Sequence, residues 1–285
     1  MSARNRWGSV LVAGVVAGAG LVLGTIQAGA DQPAYAIHYL GMRGAPKHGG
    51  SQSVNLIDHS GPVLASSKTY TVWWGPSGSW AGDVQTGIAD LLSGLNGSTY
   101  FATAGQYMRS RTLVTSYGDS ASDTTSPPNP NRVGAATLGT EVAKEALANS
   151  WNVAAGDVFF VYTSNFPKGG NYCAWHSYAT VGGVIVSVAY MPNTTGVAGC
   201  NPNAPSSITG SEALVSLANV TAHEFMESVT DPQISAWYDT SGYEIGDKCA
   251  WQFTGDPVSL GGTNWWLQEE WSNAVSGCVA TTAVA

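Results

Sequence analysis

The sequence predicts an α/β (α+β) fold built on a mixed β-sheet, and three observations carry that prediction. Runs of β-branched and aromatic residues alternate with segments of helical periodicity through the middle of the chain. Of the 285 residues, 44% are hydrophobic and 11% charged, so apolar mass suffices for a sizeable core and disorder as the main state is excluded. Beyond residue 230 the helical period stops, and a tryptophan-rich segment holding two of the four cysteines predicts a loop-rich, disulfide-linked C-terminal part.

The elements follow in order. Residues 1–30 read as an export signal: Arg4 and Arg6 lead, an apolar run covers 10–23, and Ala28-Gly29-Ala30 offers a small-residue cleavage site before Asp31. The apolar run is rich in Gly and Ala and shorter than the roughly 20 residues a bilayer span needs. The expected product is secreted, with no membrane partner after cleavage. Residues 31–60 are Gly-rich, polar and aperiodic, which predicts a flexible leader whose His38, His48 and His59 are solvated. A single domain is expected over 61–285.

Thr-Tyr-Thr-Val-Trp-Trp at 69–74, stopped by Gly75-Pro76, predicts a strand. Val84, Ile88, Leu91, Leu92 and Leu95 predict a helix over 83–95 with Asp83 near its start, and a second helix is read over 137–150. Residues 157–162 read as a buried strand, 169–176 as a loop and 181–190 as another strand. A third helix is predicted over 211–229, opened by the capping box Thr209-Gly-Ser-Glu212 and stopped before Pro232.

Nineteen acidic against eleven basic side chains, a net charge of -8, repel nucleic-acid phosphates, so no nucleic-acid partner is expected. Cys173, Cys200, Cys249 and Cys278 are an even set in an exported chain, which favours disulfides over metal thiolates. Three pairings are open. The sequence-local one, Cys173 with Cys200 and Cys249 with Cys278, is preferred, each loop being worth roughly 3 to 4 kcal/mol.

Chemistry concentrates in the third helix. His223 and Glu227 are four apart and share a helical face, where imidazole and carboxylate can meet one cation, while Glu224 can act as a general base toward water. This is His-Glu-x-x-His logic with Glu227 in place of the second histidine. Between Glu224 and Asp247, both included, stand six acids and no base, an array that repels itself unless a cation or good hydrogen bonds compensate it. Asp247 is the expected third ligand because Cys249 would fix its loop, and Glu244 competes with it. Zinc is the expected metal; the oxygen-rich donor set keeps calcium and manganese open. His176 is read as an oxyanion donor, a further ligand or a loop histidine. Trp251, Trp265, Trp266 and Trp271 form either the core of the C-terminal segment, the preferred reading, or a stacking platform for sugars.

Gly61-Pro-Val-Leu64, Cys173-Ala-Trp-His176, His223-Glu-Phe-Met-Glu227, Thr230-Asp-Pro232 and Glu244-Ile-Gly-Asp247-Lys-Cys249 together resemble the exordium, or phosphate-induced protein, family. The resemblance spans residues 61–278. It implies an extracellular chain similar to secreted bacterial relatives, and the helix motif makes such relatives look like zincin metallopeptidases. The expectation is thus a secreted metal-dependent hydrolase acting on an extracellular protein or peptide. Its rivals are a non-catalytic extracellular or cell-wall module with a structural metal and a binder of cell-wall polysaccharide.

Overall fold

The computed structural model describes residues 35–44 and 54–282. The predicted export signal, leader residues 31–34 and 45–53 (His48 among them), and the last three residues lie outside the described residues.

The chain runs through β1 (His38–Gly41), β2 (Ile57–Asp58), β3 (Ser66–Trp74), α1 (Val84–Gly94), α2 (Ala102–Gly105), β4 (Val114–Asp123) and α3 (Ala135–Ala148). It continues through β5 (Asp157–Thr163), β6 (Tyr172–Val181), β7 (Val184–Pro192) and α4 (Glu212–Thr230). Short strands β8 (Trp237–Tyr238), β9 (Val258–Leu260), β10 (Thr263–Trp265), β11 (Glu270–Ser272) and β12 (Gly277–Val279) follow.

Six strands make one mixed sheet in the order β1-β6-β7-β5-β3-β4. Strands β7, β5, β3 and β4 run parallel, while β6 is antiparallel to β7 and β1 antiparallel to β6. Strand β5, Asp-Val-Phe-Phe-Val-Tyr-Thr, is buried at every residue, as a central strand covered on both faces must be. Its alternation splits the core. Val158, Phe160 and Tyr162 join the face covered by α1 and α4, while Phe159 and Val161 face the layer carrying Leu138 and Val142 of α3. Phe225 of α4 is fully buried against Phe101 and Phe160. Phe225→Ala should therefore lower unfolding free energy by about 3–5 kcal/mol, read as a fall in the urea midpoint at unchanged m.

Three segments differ from the sequence reading. Residues 169–176, read as a loop, supply the first half of β6, and the strand read over 181–190 begins after a turn. Val181-Gly182-Gly183-Val184 is that turn, with φ +58° and +87° at the two glycines, the doubly left-handed backbone of a two-residue hairpin. Cys-Ala-Trp-His has weak β-propensity, and pairing with β1 on one side and β7 on the other overrides it. Strand β4, between the segments read as helices over 83–95 and 137–150, is polar because it forms the outer edge of the sheet.

The leader also differs. Residues 38–41 form β1 at the opposite edge and residues 57–58 pair with β8, so part of the presumed flexible leader belongs to the sheets. Four residues are too few to show a period, and the pairing that orders them comes from a strand more than 130 positions later.

Both sequence-local disulfides are formed. Trp265 and Trp271 are buried, Trp266 stacks on Phe253, and the Trp251 indole N–H donates to the Gly41 carbonyl at 2.8 Å. The C-terminal tryptophans thus serve mainly as core and bracing.

Candidate metal centre

Helix α4 is capped two residues later than its predicted capping box. Ser211, not Thr209, is the N-cap: its hydroxyl accepts the Leu214 N–H at 3.1 Å. Asp83, read near the start of α1, makes no side-chain cap there and instead accepts from the Ser211 N–H and hydroxyl at 2.6 and 2.7 Å. Those bonds hold the Asp83 carboxyl below its usual value. The rest of α4 is buried on nearly all sides, as the central helix of a layer is. His223, Glu224 and Glu227 are each 0% exposed, so this face of the helix is not solvated.

The six acids sort into three groups. Asp231 ends α4 and accepts the Ser235 and Ala236 N–H groups at 2.6 and 2.8 Å. Asp239 takes the buried Lys248 ammonium at 2.9 Å. Glu224, Glu227, Glu244 and Asp247 converge, and among the described residues no lysine or arginine is paired with them.

Three histidines enter that convergence from three elements. His223 Nε2 on α4 lies 3.2 Å from Glu227 Oε1 and 3.8 Å from Asp247 Oδ1. Alternation along β6 turns His176 toward α4, with Nε2 3.2 Å from Glu244 Oε2 and 3.5 Å from Glu227 Oε2. His38 sits directly opposite His176 in the β1–β6 register. Its Nδ1 is 3.1 Å from Asp247 Oδ2 and 3.7 Å from both Glu227 Oε2 and Glu244 Oε1. Two overlapping sets are spaced to hold a metal ion: His38, His176, Glu227 and Glu244, and His223, Glu224 and Glu227.

Gly246 explains how close the acid loop comes. A Cβ there would stand 2.5 Å from His223 Nδ1 and 3.1 Å from Glu227 Oε1, so only glycine fits. Asp247 N–H donates to Glu227 Oε1 at 3.1 Å, and the neighbouring Cys249–Cys278 bridge secures the turn.

Many polar atoms at this point lack partners: both Glu224 oxygens, Glu227 Oε2, Glu244 Oε1, His38 Nδ1 and His223 Nε2 are buried without a hydrogen bond. Orphaned buried groups of this kind are rare and expensive. Burial pushes the carboxyls of Glu224 and Glu244 well above the usual range, and burial with the Glu227 charge brings Asp247 up to about 6. Burial alone opposes ionisation of Glu227, yet the facing His223 and His38 hold it well below the usual range. Burial works against a charge on His38, but Asp247, Glu244 and Glu227 outweigh it and raise its pKa well above normal. Burial drives His176 down to about 3.

A second acid group shows what compensation looks like. Asp123, Glu141 and Glu145 surround Lys144, which contacts all three, at 2.8 Å for Glu141 and 3.2 Å for Glu145. Among the described residues the α4 cluster has no such ammonium.

Only His38 and Asp247 bring the cluster to the surface. Both line a cleft of about 520 Å³ bordered by Tyr39, Met42, Tyr172 and Trp251, a volume suited to a small ligand or a few residues of peptide.

All six residues singled out from the sequence meet here: His176, His223, Glu224, Glu227, Glu244 and Asp247. His38, assigned to solvent, was missed, because nothing around it in the leader marks it and only sheet register delivers it. Gln268, which donates to the Gly246 carbonyl at 2.9 Å beside His223, also has no sequence signal.

No helix among the described residues is long and apolar enough to cross a membrane. No protein-family model matches the chain, and no curated protein matches it in sequence.

Proposed function

We propose that this chain is a secreted, zinc-dependent hydrolase acting on extracellular peptides or proteins. One observation carries the reading: four buried carboxylates and three histidines converge at the end of an open cleft with unpartnered oxygens and, among the described residues, no ammonium or guanidinium to compensate them. The donor set fits a divalent cation. Imidazole nitrogens beside carboxylates favour zinc, or manganese, over calcium, which prefers oxygen throughout. The two disulfides and the export signal read in the sequence support secretion. The likeness to exordium proteins, with their zincin-like relatives, agrees with the same class.

A cation at this site would polarise a scissile carbonyl and favour loss of a proton from water. The chain's own part is to hold and to accept. Glu227 and Glu244 are the anionic donors shared by the site. Glu224, whose carboxyl burial raises well above the usual range, is the proton acceptor for the attacking water. Tyr39 and Tyr172, whose rings meet at 4.9 Å, offer an apolar wall of the cleft against which a peptide side chain can lie.

Glu224→Gln tests this. Zinc content by elemental analysis should stay at one equivalent and folding should persist, while turnover of a fluorogenic peptide library falls by at least about 100-fold. A wild-type protein with one bound cation and no turnover on any peptide would instead support the bracing role of a cell-wall or extracellular module. A wild type that binds no cation would refute the proposal.

A further inference from the structure

Two histidine sets compete for the cation, and the position of a single proton separates them. Gln268 is fixed by three bonds: its N–H donates to Asn219 Oδ1 on α4 at 2.7 Å, its amide Nε2 donates to the Gly246 carbonyl at 2.9 Å, and its Oε1 accepts the Trp251 N–H at 3.3 Å. Two of these partners are backbone groups whose roles cannot reverse, so the amide cannot flip. The same NH2 group lies 3.0 Å from His223 Nδ1. An amide NH2 only donates, so Nδ1 must accept, and the neutral ring carries its proton on Nε2. A doubly protonated ring would set two donors against each other.

His38 is wired the opposite way with respect to the cluster. Its Nε2 is 3.0 Å from the Gly242 carbonyl, which only accepts, so Nε2 donates, and in the neutral ring that a cation requires Nδ1 turns its lone pair toward Asp247, Glu227 and Glu244. His176 has no partner on Nδ1 and directs Nε2 at Glu244 and Glu227.

Resting on the reading above, we infer that the zinc ion is held by His38, His176, Glu227 and Glu244, and that His223 is not a ligand. A nitrogen that bears a proton has no lone pair to give a metal. The Nε2 proton of His223 instead faces Glu227 Oε1 at 3.2 Å, obliquely, and biases which Glu227 oxygen is left for the cation. His223 is thus a positioning residue. The helix motif contributes one ligand rather than two, and the partner that replaces the expected second helical ligand comes from β1, more than 180 residues upstream.

Zinc affinity by competition with a chromophoric chelator, with stoichiometry by elemental analysis, distinguishes the two assignments. His38→Ala and His176→Ala should each weaken zinc binding by at least about 100-fold. His223→Ala should keep one equivalent and lose no more than about 10-fold, the lower range for a partner that orients a ligand. Because a buried variant can simply misfold, long-range proton–nitrogen NMR on wild-type zinc-loaded protein labelled with nitrogen-15 histidine gives an independent answer. The His223 proton should be on Nε2. A proton on Nδ1, or loss of zinc in His223→Ala with retention in His38→Ala, would overturn the assignment while leaving the hydrolase reading standing. No zinc in the wild type would overturn both.

Discussion

Stripped of divalent cations, the protein should lose stability steadily as the pH rises from 6.5 to 8, whereas the zinc-loaded protein should hold nearly constant. The sign comes from the cluster. Glu224 and Glu244 have folded pKa values raised well above normal, chiefly by burial, so the folded state keeps protons that the unfolded chain releases above about pH 4.5. The stability such groups contribute is complete below the unfolded pKa and is lost as pH passes the folded one. Asp247 and Asp231, both raised to about 6, lose theirs first. His38, also raised, acts in the same direction above pH 6.5. His176 has the opposite sign: lowered to about 3, its contribution is fully in place above the unfolded value of 6.5 and no longer offsets the fall.

Each proton retained only by the folded state is worth about 1.4 kcal/mol per pH unit. A loss of about 2 kcal/mol over this window follows for each proton so retained, or a melting temperature about 4–8 °C lower. A bound cation replaces those protons and flattens the profile, and its own affinity raises the whole curve. Thermal melts with chelator and with zinc at four pH values make the comparison. Parallel curves would mean that no cation enters the cluster.

Lys248→Met should destabilise the protein by about 3–5 kcal/mol, because it leaves the Asp239 carboxylate buried and unpaired. The two side chains are 1% and 2% exposed at 2.9 Å, and the ammonium also lies 4.2 Å above the Trp271 ring. Asp239 further accepts the Ser241 and Tyr243 N–H groups, so it organises the loop that carries Glu244 and Asp247. Restoring neutrality with Asp239→Asn in the same chain should recover a good part of the loss. Urea unfolding of the three variants gives the coupling. A single-variant cost under about 1 kcal/mol would mean that water reaches the pair.

Legibility in the sequence followed the reach of each signal. β5 and the helices α1, α3 and α4 were visible because burial imprints a period or a continuous apolar run within one segment. β6 was hidden by the weak β-propensity of Cys-Ala-Trp-His, β4 by its polar edge position, and β1 by its brevity. At the site, His223, Glu224 and Glu227 follow from helical spacing, and Glu244 with Asp247 from the density of acids. His38 follows from neither. It gains its place through antiparallel register with His176, a relation between distant segments that leaves no local mark. Gln268 is similar: an uncharged side chain in a tryptophan-rich stretch, it matters because of which way its amide is wired.

The placement of β1 has a consequence for biogenesis. His38 and Gly242, bonded in the folded protein, are separated by 204 positions. A chain that emerges from its N-terminus exposes His38 early, yet the partners that orient it arrive only after most of the polypeptide has followed. Loop closure over such a span comes late in folding. During synthesis the cluster is therefore never assembled, and it is completed only when the acid loop has joined β1.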